Sequence, residues 1–173
     1  YIGAFYNIAM IYEAKKDYDN AIKFYSKEID IDPEDPLAYT NRGLVYIKIK
    51  DYKNALNDID KAISKDPTDN NVYYHKINLY KLTKEYKYAI SLSNETIIRN
   101  SDDPQGYFVL SEIFLEQGNY NLAFENIIIS ISKLERDVGF WWVLNYDGSA
   151  KELFELYFLK GEIALKMGLE NTY

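Results

Sequence analysis

The sequence predicts an all-α fold, an α-solenoid built from antiparallel helix pairs. Alanine, aromatic and isoleucine positions recur at an interval of 34 residues through four successive segments, and a fixed interval of this length is typical of helical-repeat proteins. Within each segment, apolar residues lie three or four positions apart, as they do along one face of a helix. The recurring columns are Ala21, Ala55, Ala89 and Ala123; Tyr18, Tyr52, Tyr86 and Tyr120; Tyr12, Tyr46, Tyr80 and Phe114; Phe5, Tyr39, Tyr73 and Tyr107; and Ile29, Ile63, Ile97 and Ile131.

Each segment is predicted to form two helices that pack against each other. In the first segment, Phe5 and Tyr12 mark the first helix and Ala21 marks the second, with a polar turn between them. Alanine allows the second helix to approach the first closely, while the aromatic columns fill the remaining space. Pro36 and Pro104 each follow an aspartate, which is the order of an N-cap residue and the first helical position.

A known repeat family shares this order of residues. In the second segment the columns hold Tyr39, Arg42, Gly43, Tyr46, Ala55, Ala62 and Pro67. The pattern resembles the tetratricopeptide repeat (TPR), and the resemblance covers four helix pairs, at residues 2–35, 36–69, 70–103 and 104–137. The resemblance implies a right-handed superhelix, in which the first helices of successive pairs line a concave face that binds peptides.

The third and fourth segments depart from the family pattern. Ile77 occupies the column of small residues, Ser93 occupies a column where a large residue is usual, and the fourth segment carries Ser111. Because repeats contact mainly their neighbours, we expect these helix pairs to pack less regularly or to turn by a different angle.

The C-terminal part contains an insertion. Tyr157 resembles the start of a fifth segment but lies 50 positions after Tyr107, so about sixteen residues are added to the usual interval of the repeat. We assign residues 138–149 to an aromatic insertion and residues 150–173 to a truncated fifth repeat or capping helix. Both tryptophans of the chain precede this helix, and we expect them to cap the end of the stack. The alternative is an exposed patch for a partner or a second copy.

The composition excludes several kinds of function. A net charge of -7 argues against partners with a phosphate backbone and against anionic membranes, so we predict no nucleic acid and no membrane partner. The chain has no cysteine and one histidine, so we predict no catalytic residue, no metal site, no cofactor and no enzyme activity. No apolar run approaches the roughly 20 residues that span a bilayer, and the cytoplasm is the favoured compartment.

The resemblance to the TPR family indicates which residues face a bound peptide. The inward positions of the first helices combine asparagine with aromatic and apolar side chains. Asparagine provides both a donor and an acceptor for a peptide backbone, and aromatic side chains provide rigid contact area. The predicted peptide-binding residues are Tyr6, Asn7, Met10, Leu37, Asn41, Leu44, Tyr74, His75, Asn78 and Phe108.

One subset of the family binds the acidic C-terminal tails of chaperones through a clamp of Lys, Asn, Asn, Lys and Arg. Here only Asn41 matches that clamp, since the other columns hold Tyr6, Met10, Asn71 and His75. A carboxylate would find no cluster of cations at these positions, and the sequence therefore does not favour this mode.

Three functions remain open at this stage. The leading interpretation is a scaffold that binds a peptide or partner protein along the concave face. The second is a homo-oligomeric assembly module, and the third is a regulatory arm of a larger protein whose catalytic part lies elsewhere. His75 could titrate during binding between pH 5 and 8, but we favour a local hydrogen bond for this side chain.

Overall fold

The computed structural model describes residues 3–142 and 147–168, and the side-chain surroundings of residues 3–135 and 155–168. Within these ranges the chain forms nine helices and no strand, which confirms the predicted all-α helical-repeat class. The helices are α1 (Ala4–Ala14), α2 (Tyr18–Ile31), α3 (Pro36–Lys48), α4 (Tyr52–Lys65), α5 (Asn70–Leu82), α6 (Tyr86–Arg99), α7 (Pro104–Glu116), α8 (Tyr120–Trp142) and α9 (Asp147–Lys166).

The chain divides into two compact units. The first unit, Tyr1–Glu85, contains α1 to α5, and the second unit, Tyr86–Tyr173, contains α6 to α9. Consecutive helices contact one another in order within each unit, from α1 to α5 and from α6 to α9. The boundary between the units falls inside the third predicted segment, because α5 belongs to the first unit and α6 to the second.

Aspartate side chains start α2, α3, α4, α5 and α7, as the N-cap pattern predicts. Asp35 and Asp103 accept hydrogen bonds from the backbone N–H groups two positions ahead, and each precedes a proline at the first helical position. Asp17 and Asp51, at the starts of α2 and α4, accept from the N–H groups three positions ahead. These carboxylates satisfy backbone donors that have no partner within the helix.

A left-handed residue ends the first helix of each segment. Lys16, Lys50 and Lys84 have φ angles of 60°, 63° and 61°, and Gly118 in the same column has a φ of 73°. Gly168, at the end of α9, also has a φ of 73° and lies 50 positions after Gly118. This conformation closes a helix with little strain for glycine, whereas a Cβ atom makes it unfavourable for lysine.

Replacing Lys50 with glycine is therefore expected to raise the free energy of unfolding by about 1 kcal/mol, since glycine adopts the left-handed conformation without the Cβ clash. Urea denaturation followed by circular dichroism measures the change. The matched control is Lys61→Gly on the exposed surface of α4, which should lower the free energy of unfolding by about 1 kcal/mol. A loss of stability in both variants would contradict the prediction.

The alanine column is buried in all four segments. Ala21, Ala55, Ala89 and Ala123 are all fully buried. Close approach also explains Gly43 of α3, because a Cβ atom at this position would lie 3.2 Å from the Ile59 side chain of α4. The column of small residues thus lets α3 and α4 pack at short distance.

Three departures from the repeat pattern are buried. Ile77 in α5, Ser93 in α6 and Ser111 in α7 are each 0% exposed. The Ser93 hydroxyl donates to the Ala89 carbonyl at 2.9 Å, whereas the Ser111 hydroxyl has no hydrogen-bond partner among the described residues. A buried hydroxyl without a partner costs free energy of folding, so the fourth segment is not optimised for stability at this position.

A buried ion pair joins the two helices of the second segment. Arg42 of α3 donates to both carboxylate oxygens of Asp58 in α4, at 2.7 and 2.8 Å, and its third nitrogen donates to Ser26 of α2 at 2.8 Å. Asp58 is only 1% exposed. The same column holds Ile8 in the first segment, Lys76 in the third and Leu110 in the fourth. The repeat therefore admits both apolar and cationic side chains here, and in the second segment Arg42 links three helices.

Part of the predicted insertion is helical. Helix α8 continues from Tyr120 to Trp142, a length of 23 residues, and α9 begins at Asp147. Residues 138–142 therefore extend α8. The predicted capping role of the two tryptophans depends on their side chains, which lie outside the part of the chain whose side chains the structure describes.

Candidate peptide-binding face

Helices α1 and α3 of the first unit meet through two side-chain contacts in the same register. Asn41 of α3 donates to the hydroxyl oxygen of Tyr6 in α1 at 2.9 Å, and Lys48 of α3 donates to Glu13 of α1 at 2.6 Å. Both contacts join residues 35 positions apart. The repeat interval therefore aligns the two first helices, and residues three or four positions apart on each helix extend one common face.

The amide of Asn41 is held in a defined orientation. Its nitrogen donates to the Tyr6 hydroxyl and also to the Leu37 carbonyl oxygen, in both cases at 2.9 Å. A carbonyl oxygen such as that of Leu37 can accept a hydrogen bond but cannot donate one, so the amide nitrogen of Asn41 must point toward it. The Tyr6 ring packs edge-on against the buried Tyr25 ring, with 5.7 Å between the ring centroids. These contacts leave little rotational freedom to either side chain.

A carboxylate of α2 holds the first turn of α1. Glu28 is 1% exposed and accepts hydrogen bonds from the backbone N–H groups of Gly3 and of Tyr6, the latter at 3.1 Å. Gly3 is the N-cap of α1 and cannot cap the helix with a side chain. Glu28 therefore replaces a local cap and places a negative charge at the positive end of the helix dipole.

Glu13 joins three helices at the other end of this face. It accepts a hydrogen bond from the Tyr25 hydroxyl of α2 at 2.9 Å, in addition to the bond from Lys48. Burial and the neighbouring Glu13 carboxylate raise the pKa of Tyr25 well above its ordinary range. The Tyr25 hydroxyl therefore stays protonated and donates to Glu13 at all physiological pH values.

The remaining predicted residues of α1 and α3 surround the pair formed by Tyr6 and Asn41. Met10, one turn after Tyr6, is 48% exposed, and Leu37, one turn before Asn41, is 54% exposed. Asn7 is exposed and Leu44 is half-buried. The face thus combines two exposed apolar side chains with a fixed polar pair.

The other predicted residues lie on α5 and α7. Tyr74 and His75 on α5 are half-buried, Asn78 is exposed, and α5 contacts α3 within the first unit. Phe108 belongs to the second unit, where it lines a cleft of about 230 Å³ between α7, α8 and α9. Nine of the ten predicted residues therefore lie on one compact unit and Phe108 on the other.

The state of charge of His75 follows from its surroundings. Burial lowers the pKa of His75 below its ordinary value of 6.5, and the charge of Asp69 offsets part of this effect. The folded protein therefore favours the neutral imidazole. Because the unfolded chain binds the proton more readily, the free energy of unfolding falls as the pH drops below about 6.5.

A His75→Gln variant, which has no ionisable group at this position, should lose less stability between pH 7.5 and 5 than the wild type. Urea denaturation at both pH values measures the two losses, and the difference between them isolates His75 from the carboxylates that titrate in both proteins. Equal losses would show that the environment of His75 does not disfavour its charged form.

Among the described residues, no group of three His, Cys, Asp or Glu side chains is arranged to hold a metal ion. No helix found there has the length and apolar character needed to cross a membrane.

Sequence reasoning missed the buried charged residues that support the face. Glu28 occupies the column that holds Ala62 in the second segment, and Arg42 occupies the column that holds Ile8 in the first. Both columns mix apolar with polar or charged residues across the four segments, so a charge in either column gave only a weak signal. Neither partner follows from the pattern, because the partners lie on other helices.

Comparisons with known proteins agree with the repeat pattern. A family model described as tetratricopeptide repeat matches residues 36–69, and a second, described as TPR repeat, matches residues 9–50. Together these two matches cover residues 9–69. No curated protein matches the chain in sequence.

Solved structures resemble the chain over most of its length. A tetratricopeptide repeat protein from Parabacteroides merdae has a TM-score of 0.75 and 18% identity, and the match covers 95% of this chain and 58% of that protein. YrrB, a TPR protein with an unusual peptide-binding site, has a TM-score of 0.61 and 17% identity over 95% of this chain and 89% of YrrB. The second TPR domain of human RPAP3, in complex with the HSP70 peptide SGPTIEEVD, has a TM-score of 0.59 and 20% identity over 65% of this chain and 93% of that domain.

Proposed function

The chain belongs to the tetratricopeptide repeat family, and from this we propose that it is a protein–protein interaction scaffold that binds a peptide or a segment of a partner protein. Two structures of the same fold, YrrB and the RPAP3 domain, are peptide-binding proteins. The bound segment lies along the first-helix face of the first unit, where it contacts Asn41.

The choice of the first-helix face as the binding surface rests on one observation. Met10 and Leu37 expose about half of their apolar surface on either side of Asn41, and Asn41 is held in place by Tyr6. Exposed apolar side chains beside fixed polar groups are typical of interaction surfaces, since the apolar groups contribute contact area and the polar groups fix the orientation of the partner.

The test is to capture partners with the wild-type chain and to compare two variants against the captured partner. Asn41→Ala should weaken binding about five- to tenfold, because a desolvated peptide group would lose its hydrogen-bond partner. It should lower the free energy of unfolding by less than about 1 kcal/mol, since Asn41 is only partly buried. We expect a dissociation constant on the order of micromolar for the wild type.

The matched control is Asn57→Ala on the exposed surface of α4, which should leave the dissociation constant of the captured partner unchanged. Isothermal titration calorimetry measures both variants with the same partner. Equal affinities for wild type and Asn41→Ala would argue against the first-helix face as the binding surface.

The alternative function is homo-oligomeric assembly through the second unit. Phe158 and Leu165 of α9 are 67% and 69% exposed and lie two helical turns apart on the same side of the helix. Size-exclusion chromatography with light scattering distinguishes the two functions. A monomer at all concentrations supports the scaffold, whereas a dimer that Phe158→Ser dissociates supports assembly. A regulatory role within a larger protein is compatible with either result.

A further inference from the structure

We infer that the cleft between α7, α8 and α9 binds one arginine side chain of a partner protein. The aliphatic stem of the arginine packs in the interior of the cleft, and its guanidinium group remains at the exposed edge beside Glu155. This inference rests on the proposed function, because the arginine belongs to a partner, but it adds a binding site in the second unit that the face formed by α1 and α3 does not include.

The cleft lies where the second unit departs from the repeat. Helices α2, α4 and α6 have 14 residues each, whereas α8 has 23. Leu134 is the first residue beyond that length, and it occupies the column of Asp32 and Asp66, the C-cap residues of α2 and α4. It lines the cleft together with Leu156 of α9. The site therefore belongs to the extension of α8 and not to the repeat pattern.

The interior of the cleft is apolar. Leu134 and Leu156 are 8% and 6% exposed, and the half-buried Pro104 and Phe108 of α7 line the same cleft. Ser130 of α8 is fully buried, and its hydroxyl donates to the Pro104 carbonyl at 2.9 Å, so this polar group is satisfied within the chain. The volume of about 230 Å³ exceeds the roughly 150 Å³ that holds a benzene-sized group, so the cleft has room for one long side chain.

The exposed edge of the cleft is polar and anionic. Gln105 of α7 and Glu155 of α9 are exposed lining residues, and Glu155 carries the only charge among the lining residues that the structure describes. A carboxylate has about four acceptor sites, so Glu155 can accept from a ligand in addition to its contacts within the chain. An apolar interior with an anionic edge matches a side chain that has an aliphatic stem and a cationic end.

The charges around the cleft disfavour an acidic ligand. Helix α7 contains two glutamates and no lysine or arginine. Lys133 of α8 lies over the Tyr107 ring, 5.2 Å from its centroid, and pairs with Asp102 at 3.6 Å. An acidic side chain in the cleft would be repelled by Glu155, and no lining residue in the described ranges is cationic to offset this repulsion.

Arginine suits the lining better than lysine does. The guanidinium group is planar, so it can stack on the Phe108 ring and donate two parallel hydrogen bonds to the Glu155 carboxylate. The side-chain oxygen of Gln105 is a further acceptor at the same edge. The ammonium group of lysine is a more strongly hydrated point charge, so a lysine in the cleft would gain fewer contacts for the water that it loses.

The experiment titrates the tripeptide acetyl-Gly-Arg-Gly-amide into the full chain, labelled with ¹⁵N, and follows the backbone amide signals by NMR. We expect shifts at Leu134 and Leu156 but not at Asn41, with a dissociation constant on the order of 1 mM, because one side chain provides the contacts. Citrulline, the uncharged analogue of arginine, should bind about tenfold more weakly, and lysine about threefold more weakly. Raising NaCl from about 50 to 500 mM should weaken the arginine peptide about threefold.

Matched variants locate the charge that binds the peptide. Glu155→Gln should weaken binding of the arginine peptide about five- to tenfold. The control Glu162→Gln changes an exposed glutamate of the same helix that is not among the lining residues, and it should keep the dissociation constant within about twofold of the wild type. Phe108→Leu retains an apolar side chain but removes the ring, so it should weaken binding about threefold. The amide spectra also show whether each variant is folded.

Three results would overturn the inference: no shifts at Leu134 and Leu156 up to about 10 mM peptide, equal affinities for arginine and citrulline, or equal affinities of Glu155→Gln and Glu162→Gln. The titration uses a defined peptide and needs no captured partner. Its failure is therefore distinguishable from failure of the proposed function, which the comparison of the wild type with Asn41→Ala tests on the first-helix face.

Discussion

Replacing Asp58 with alanine is expected to lower the free energy of unfolding by about 3–5 kcal/mol, because the Arg42 guanidinium would remain between helices without its counter-charge. Arg42 donates two hydrogen bonds to this carboxylate, and Asp58 is 1% exposed. Urea denaturation followed by circular dichroism measures the loss. A domain of this size has a free energy of unfolding of roughly 5–15 kcal/mol, so the variant is expected to be marginally folded.

Two further variants distinguish the cost of removing one partner from the net contribution of the ion pair to the free energy of unfolding. Asp60→Ala, two residues away on the same helix, removes the partner of Lys76 from a partly exposed pair and should cost about 1 kcal/mol or less. The double variant Arg42→Leu with Asp58→Ala removes both charges and gives the second segment the leucine that the fourth segment has in this column, so it should recover most of the loss. A double variant as unstable as Asp58→Ala would show that the pair itself is strongly favourable.

Replacing Glu28 with alanine is expected to lower the free energy of unfolding by about 2 kcal/mol, because the backbone N–H groups of Gly3 and Tyr6 would lose their charged acceptor. The first turn of α1 can partly unwind to reach water, which limits the cost. Since Tyr6 lies in this turn, the variant should also weaken peptide binding at the face formed by α1 and α3.

Amide hydrogen exchange distinguishes local unwinding from a general loss of stability. In Glu28→Ala, the amide of Tyr6 should lose protection while amides at the centre of α3 and α4 keep most of theirs. The control is Asp30→Ala at an exposed position of α2, which should leave the Tyr6 amide protected. Unchanged protection of Tyr6 in Glu28→Ala would show that another group caps α1.

The close approach of helices at the small residues of the 34-residue pattern was predicted correctly. Alanine at position 55 and glycine at position 43 lie where two helices approach closely, and the structure places them there. Each such position depends on contacts between neighbouring helices at a fixed interval, so the sequence pattern carries the information. The sequence also predicted Asn41 as a peptide-binding residue that offers both a donor and an acceptor. In the structure both N–H donors of its side chain are in use within the chain, which leaves the acceptor oxygen.

The sequence by itself determined the all-α class and the aspartate caps, because both follow from local spacing. Only the tertiary structure decided which charged residues meet. Glu28 caps a different helix from its own, and Arg42 bridges α3 to Asp58 of α4. Such pairs depend on the distance between helices after packing, and a charged side chain is tolerated in a buried position only when that distance brings it a partner.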